Sequence, residues 1–449
     1  MLPTTRVPSA GAGTDTDRRP TALCVLVFAG VVAAELAPPE ISMLISVAAL
    51  VAAVVTARTL VWRCRPGIAL VFPVLAVAGT LPLWGQPDLF TMRDYVRDLM
   101  ILGATAAFMI LGQVLGSTER LLVAGLRTLY AGGLCLAVVH LIRVGAGGFA
   151  FGTAEELRDA AGRGAVLEVL ALASAYLLAR LGYRVVARVP HWLVVGANAV
   201  IVLSIITSLS RGLVLDSAIF VLVAATERML FRTRSHRGGG VRSGLGVGLT
   251  VALLITIAVA VPLRTHIEPA VANYVLKIEN SWSELDSDLV AASRNQVTQN
   301  YRAYESSRAL AQFRDAGVVE KIIGAGWGSS VYLVADTASS TATFTRREAP
   351  ILHNGYLYYL TKSGVLGLSL YVLLLVVAAW TAMRCWVRSE PEPVRARASM
   401  LLALVIVLTA STITVSGFAS KSSFYCLAFL MGLLLVGQRD ASARTRGYA

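Results

Sequence analysis

Predominantly apolar segments recur from near the start of the chain almost to its end, most of them about as long as a helix needs to cross a hydrocarbon core of about 30 Å. Twelve are read, at 21–37, 41–62, 67–84, 98–115, 121–142, 165–182, 191–209, 213–226, 245–263, 364–387, 399–415 and 422–436. One soluble core has no room for this much apolar surface: 56% of the residues are hydrophobic and 15% charged, with a mean hydropathy of +0.67. Lipid is the expected solvent for the remainder. The pattern predicts an all-α integral membrane protein, since a helix satisfies its own backbone hydrogen bonds inside a bilayer. A signal peptide is the competing reading of 18–37, but no clear small-x-small site precedes Pro38, so a retained first helix is expected.

The formal net charge of +13 would direct attention to nucleic acid in a soluble protein. Here the arginines follow the spans, and no nucleic-acid partner is expected. With the N-terminus inside, the cytoplasmic segments hold Arg18 and Arg19; Arg58, Arg63 and Arg65; Arg120; Arg180, Arg184 and Arg188; Arg228, Arg232, Arg234, Arg237 and Arg242; Arg384, Arg388, Arg395 and Arg397; and Arg439, Arg444 and Arg446. Opposite loops carry no base at 38–40 and sparse ones such as Arg93, Arg211 and Lys421, while the arginines of 143–164 are offset by Glu155, Glu156 and Asp159. This is the bias that orients membrane helices. The expected organisation is a disordered cytoplasmic tail (1–20), spans one to nine (21–263), a large extracytoplasmic loop (264–352), a histidine-bearing helix with spans ten to twelve (353–437), and a cytoplasmic tail (438–449). The stretch 234–248, rich in glycine and arginine, reads as a flexible cytoplasmic loop. None of the five cysteines lies in 264–352, so neither a disulfide framework nor a cysteine metal site is indicated there.

The 264–352 loop is the longest extramembrane segment, and function is expected to concentrate in it. Within it, 287–313 reads as an amphipathic helix, with Val290, Val297, Tyr301, Tyr304 and Ala311 at steps of three and four and Arg294 on the same stripe. A guanidinium there needs an anion: a phosphate suits its planar fork, and Asp286 or Asp288, or simple snorkelling to water, are the plainer answers. Next comes the glycine-rich turn Gly324-Ala325-Gly326-Trp327-Gly328-Ser329, which lets backbone approach a ligand or a neighbouring helix and matches neither nucleotide fingerprint. His353-Asn354-Gly355-Tyr356 then opens a helix running through Lys362-Ser363-Gly364 into the tenth span. A histidine at this boundary is either a hydrogen-bonded structural group or a proton acceptor near neutral pH. Between spans seven and eight, Ser208-Leu209-Ser210-Arg211-Gly212 makes a short turn, where Arg211 pairs either with Asp216, about one turn deeper, or with an anion.

Taken in this order, Ser210-Arg211-Gly212, an arginine helix followed by Gly-x-Gly, and His353-Asn354 leading through Ser363-Gly364-Val365-Leu366-Gly367 resemble the O-antigen ligase and polysaccharide polymerase superfamily of bacterial membrane glycosyltransferases. The motifs cover roughly 201–375; earlier helices agree only in number and hydropathy. The resemblance implies transfer of a glycan from a polyprenyl-diphosphate carrier to a hydroxyl of a glycan, glycolipid or other acceptor, at the outer face of the bacterial plasma membrane. It implies neither metal nor other cofactor. His353 would be the general base, Arg211 and Arg294 would hold the diphosphate, and Arg302 and Arg308 stand as alternatives to Arg294. Asn354, Tyr356, Tyr301, Tyr304, Trp327 and Asp216 would contribute to substrate binding. Envelope-polysaccharide assembly proteins are the expected protein partners.

Two other classes remain open on the residues themselves. A transporter or flippase of lipid-linked glycans fits twelve spans and the intramembrane acids Glu35, Glu168 and Asp216, although no half-to-half symmetry is visible. A noncatalytic member of the same fold would keep the spans and tolerate loss of His353. Ligase and polymerase are not separable from the sequence, and neither sugar nor acceptor is named by it.

Overall fold

The computed structural model describes residues 18–36, 39–56, 67–84, 91–146, 165–186, 189–208, 210–231, 301–333, 348–388, 391–415, 417–419 and 424–446. The described residues are mostly helical. The described helices are α1 (Arg18–Leu36), α2 (Pro39–Thr56), α3 (Val71–Ala78), α4 (Met92–Gly116), α5 (Glu119–Ala146), α6 (Val166–Arg180), α7 (His191–Thr207), α8 (Arg211–Phe231), α9 (Tyr301–Asp315), α10 (Val318–Ile323), α11 (Gly355–Val387), α12 (Glu392–Val415) and α13 (Tyr425–Arg446). Two-residue strands β1 (Val331–Tyr332) and β2 (Glu348–Ala349) pair antiparallel, Val331 opposite Ala349 and Tyr332 opposite Glu348.

Among the described residues four helices are long and apolar enough to cross a membrane: Met92–Gly116, Glu119–Ala146, Gly355–Val387 and Glu392–Thr414. This supports a helical membrane protein. The eighth span, read from sequence as 213–226, is part of the longer α8, and the twelfth is the start of α13. The ninth span, 245–263, and Arg294 lie outside the described residues.

The third span departs from expectation. Its helix stops at Ala78 and continues as a short 3-10 turn, Leu81–Trp84. Gly79 and Pro82 favour a break here, and a side chain from far along the sequence caps the end of the helix. The buried Trp327 indole donates to the Leu75 and Ala76 carbonyls, each at 3.1 Å, and a Cβ on Gly79 would lie 2.3 Å from that ring nitrogen. Trp327 backbone N–H also takes the Gly79 carbonyl at 2.8 Å.

The centre of the fold is the pairing of α4 with α13, made possible by small residues. A Cβ on Gly112 would stand 2.1 Å from the Phe429 carbonyl oxygen, one on Gly116 2.5 Å from that of Leu433, and one on Gly432 2.1 Å from that of Met109. Gly112 and Gly116 are four apart on one face, the spacing by which membrane helices bring backbones together where apolar packing alone gives no preference over lipid. Gly133 does the same for α5 against α6, facing Ala171 and Leu167.

Charge holds one end of the bundle. Arg180 at the end of α6 bonds Glu227 of α8 at 2.6 Å and Glu392 of α12 at 2.7 Å, while Tyr176 donates to Glu227 at 2.7 Å. Glu227 is fully buried, so its two partners compensate a carboxylate removed from water. Nearby, Arg127 donates to the Arg184 carbonyl at 2.9 Å. At the far end of the bundle, Glu168 accepts the Ala165 N–H at 3.4 Å and caps its own helix, α6.

Gly432→Ala should therefore force α4 and α13 apart and lower stability by roughly 1–3 kcal/mol. Gly196→Ala, inside α7 with nothing within 4 Å, should be neutral or stabilise by up to about 1 kcal/mol. Thermal unfolding of the two variants in the same detergent checks the contrast.

Candidate functional site

His353 owes its position to three local devices. The β1–β2 pair brings the chain back beside the glycine-rich turn. Asn354, with extended backbone (φ −89°, ψ 110°), caps α11 by accepting the Tyr356 and Leu357 N–H groups at 3.0 and 3.2 Å. Its side-chain oxygen is thus committed to the backbone, as an N-cap oxygen that answers amides which would otherwise have no partner.

The third device is Glu305, which the sequence reading missed. It is 2% exposed and lies on α9, one turn after Tyr301. One carboxylate oxygen accepts the His353 backbone N–H at 2.6 Å and the other meets ring Nδ1 at 2.7 Å. A carboxylate only accepts, so Nδ1 carries the proton and Nε2 is the basic atom of the neutral ring. The His353 side chain is 47% exposed, and Tyr301 meets its ring edge-on at 6.0 Å.

α9 is itself anchored by a second stripe of residues spaced by four. Tyr304 donates to the Leu333 carbonyl, Arg308 donates to the Tyr332 carbonyl at 3.2 Å, and Gln312 accepts the Tyr332 N–H at 3.4 Å. Arg308, Gln312, Asp315, Glu320 and Tyr332 border a groove of about 370 Å³. Arg308 is thus tied to β1, while Arg294 lies outside the described residues.

The glycine-rich turn serves neighbouring helices. Gly364 breaks α11 with φ 65° and ψ −167°. A break of this kind frees carbonyls in the preceding turn, and here Ala325 N–H answers Thr361 at 2.8 Å and Gly326 N–H answers Lys362 at 2.9 Å. The approach is so close that a Cβ on Gly324, itself at φ 83°, would lie 2.3 Å from Lys362 backbone. Beneath the turn, Lys362 Nζ bonds Asp98 of α4 at 2.8 Å and also the Ser329 carbonyl. Asp98 further accepts the Gly328 N–H at 2.9 Å and stands 3.5 Å from Arg97.

The remaining candidates are dispersed. Arg211 opens α8, and Asp216 is buried in the same helix at 4% exposure. Both α8 and α11 pack on α12. Tyr356 donates to the Thr409 carbonyl of α12 at 3.2 Å. Trp327 is fully buried with its indole N–H engaged, so it packs the core. The structure therefore brings together His353, Asn354 and Tyr301 from the expected set and adds Glu305. Its sequence signal was slight: an acid four residues after Tyr301, on a helix whose stripe was read from its apolar residues.

Lys362→Met should cost about 3–5 kcal/mol by leaving buried Asp98 without its 2.8 Å cation and with only the longer contact to Arg97. Combining it with Asp98→Asn should cost less than the sum of the single changes, because the two groups share one interaction. Thermal unfolding of the four-member cycle checks this. No family model matches the chain, and no curated protein matches it.

Proposed function

We propose that this protein transfers a glycan from a polyprenyl-diphosphate carrier to an acceptor hydroxyl at the outer face of the bacterial plasma membrane, in cell-surface polysaccharide biosynthesis. The observation that carries the reading is the His353–Glu305 pair: a half-exposed imidazole held through Nδ1 by a buried carboxylate, at the start of a helix that goes on to span length. That arrangement suits a general base, because the carboxylate orients the ring and stabilises the imidazolium that forms.

In this mechanism Nε2 of His353 takes the acceptor hydroxyl proton as the oxygen attacks the anomeric carbon. The bond from that carbon to the diphosphate oxygen breaks, and its electron pair leaves with the diphosphate. Arg211 and Arg294 neutralise the developing charge with planar forks that match phosphate oxygens. One displacement inverts the anomeric configuration. Tyr301 beside the ring, and Tyr356 at the start of α11, offer surfaces for sugar. The reading places twelve spans around this site, with 264–352 outside, both termini cytoplasmic, and lipids and envelope-assembly proteins as neighbours.

Translocation of lipid-linked glycans is the alternative, and buried acids are what it draws on. Glu168 caps α6, which leaves Glu35 and Asp216 as the stronger support for it; the His353–Glu305 pair has no part in that reading.

The test uses purified protein in lipid with a defined polyprenyl-diphosphate glycan, an acceptor and EDTA. Wild type should form product, as a ladder for a polymerase or as one species for a ligase. His353→Ala should lose roughly 10²–10⁴-fold in rate. Glu305→Gln, which keeps the side-chain shape, should lose at least about 10-fold, and Arg211→Lys should also lose substantially because a point charge replaces a fork. Near-normal transfer by His353→Ala would overturn the general-base assignment, and carrier movement across liposomes without transfer would favour the transporter.

A further inference from the structure

α10 is a six-residue helix between Gly317 and Gly324, and it turns its apolar residues outward. Val318 is 75% exposed, Val319 69% and Ile322 53%. At about 100° per residue, positions 318, 319 and 322 fall within about 100° of arc, so they form one stripe. Lys321, half-buried, borders the stripe and Glu320 lies behind it. Three aliphatic side chains on one face of so short a helix are unfavourable in water.

The position of α10 along the bundle follows from Gly364. The segment from Val365 to Val387 rises about 34 Å as a helix, close to the roughly 30 Å of a hydrocarbon core. Gly364 therefore marks the level at which α11 leaves the bilayer, on the side where His353 stands. α10 docks at that level, since a Cβ on Gly364 would meet the Ile322 carbonyl at 2.3 Å.

The elements packed around the stripe also present aliphatic surface. α10 packs against α11 and the 3-10 turn at Leu81–Trp84, and α11 packs against α3. Each of these presents exposed aliphatic groups: Val365 and Leu366 on α11, Leu81 on the turn, and Val74 and Val77 on α3.

We infer that α10 is seated in the membrane, with Val318, Val319 and Ile322 inserted among the acyl chains of the phospholipid leaflet on the His353 side and Lys321 reaching the headgroup level. The loop between α9 and the glycine-rich turn is then a membrane-surface element that holds α9, and with it Glu305, at a set height above the bilayer. A short helix with an apolar face and a cationic flank has the character of an interfacial segment. This inference rests on the span-length helices and the exposed stripe, not on the glycosyl-transfer reading.

The experiment uses the full chain in phosphatidylcholine nanodiscs, with its five cysteines replaced by alanine and a nitroxide attached through Val318→Cys, Val319→Cys, Ile322→Cys or, as the control, Arg314→Cys. Collision with oxygen relative to a water-soluble nickel chelate should be severalfold higher at 318, 319 and 322 than at 314. Equal ratios would place the stripe in water and overturn the inference. Protection from both relaxants would also overturn it, by showing protein on the stripe, whether a second copy or another part of this chain. As a second measurement in the chain with its cysteines intact, a benzophenone amino acid at 319 should yield phospholipid adducts on illumination; adducts to peptide alone would refute the seating.

Discussion

Lys362 and Asp98 meet at 2.8 Å with the lysine side chain 4% exposed and the aspartate fully buried, and much of the architecture around the candidate site hangs on this pair. Two charges removed from water need each other and need further hydrogen bonds. The further bonds are supplied by the Ser329 carbonyl and the Gly328 N–H, so the glycine-rich turn, α4 and α11 are locked by one polar knot. The break at Gly364 belongs to the same knot: carbonyls that α11 cannot satisfy internally are satisfied by Ala325 and Gly326. The turn thus does for α11 what the next turn of helix does elsewhere.

The histidine is built on that rigid base but oriented by a different element. α11 and its Asn354 cap set the backbone of His353, while Glu305, from α9, sets the ring. α9 is in turn fixed to β1 through Tyr304, Arg308 and Gln312. One helix therefore presents two stripes, one toward the strand and one toward the histidine. A histidine held this way has its ring nitrogens assigned by its neighbours, an arrangement that suits the general-base role proposed for it.

At the other end of the bundle the logic is again compensation of buried charge, with Arg180, Tyr176 and Glu392 gathered about Glu227. The arginines read as a cytoplasmic cluster include Arg180, and the structure shows that it also clamps helices together. Between the two polar ends, contact depends on the absence of side chains: Gly112, Gly116 and Gly432 let α4 and α13 touch backbone to backbone. Polar knots at the ends and glycine seams in the middle are what a helical bundle can use when apolar burial gives little preference between protein and lipid.

The sequence by itself determined the class of the fold and much of its helix inventory, because a run of apolar residues long enough for a bilayer is a local property. It also marked His353-Asn354 as the opening of a helix, since an N-cap acts on the amides just after it. The tertiary structure decided what depends on residues far apart in the chain. Trp327 donates to the Leu75 and Ala76 carbonyls at the end of α3 across some 250 positions; Glu305 claims the ring of His353 across 48 positions; Asp98 pairs with Lys362 across 264. No local spacing announces a partner of that kind. A buried charge requires some counter-group, and only the packed helices determine which one comes within reach.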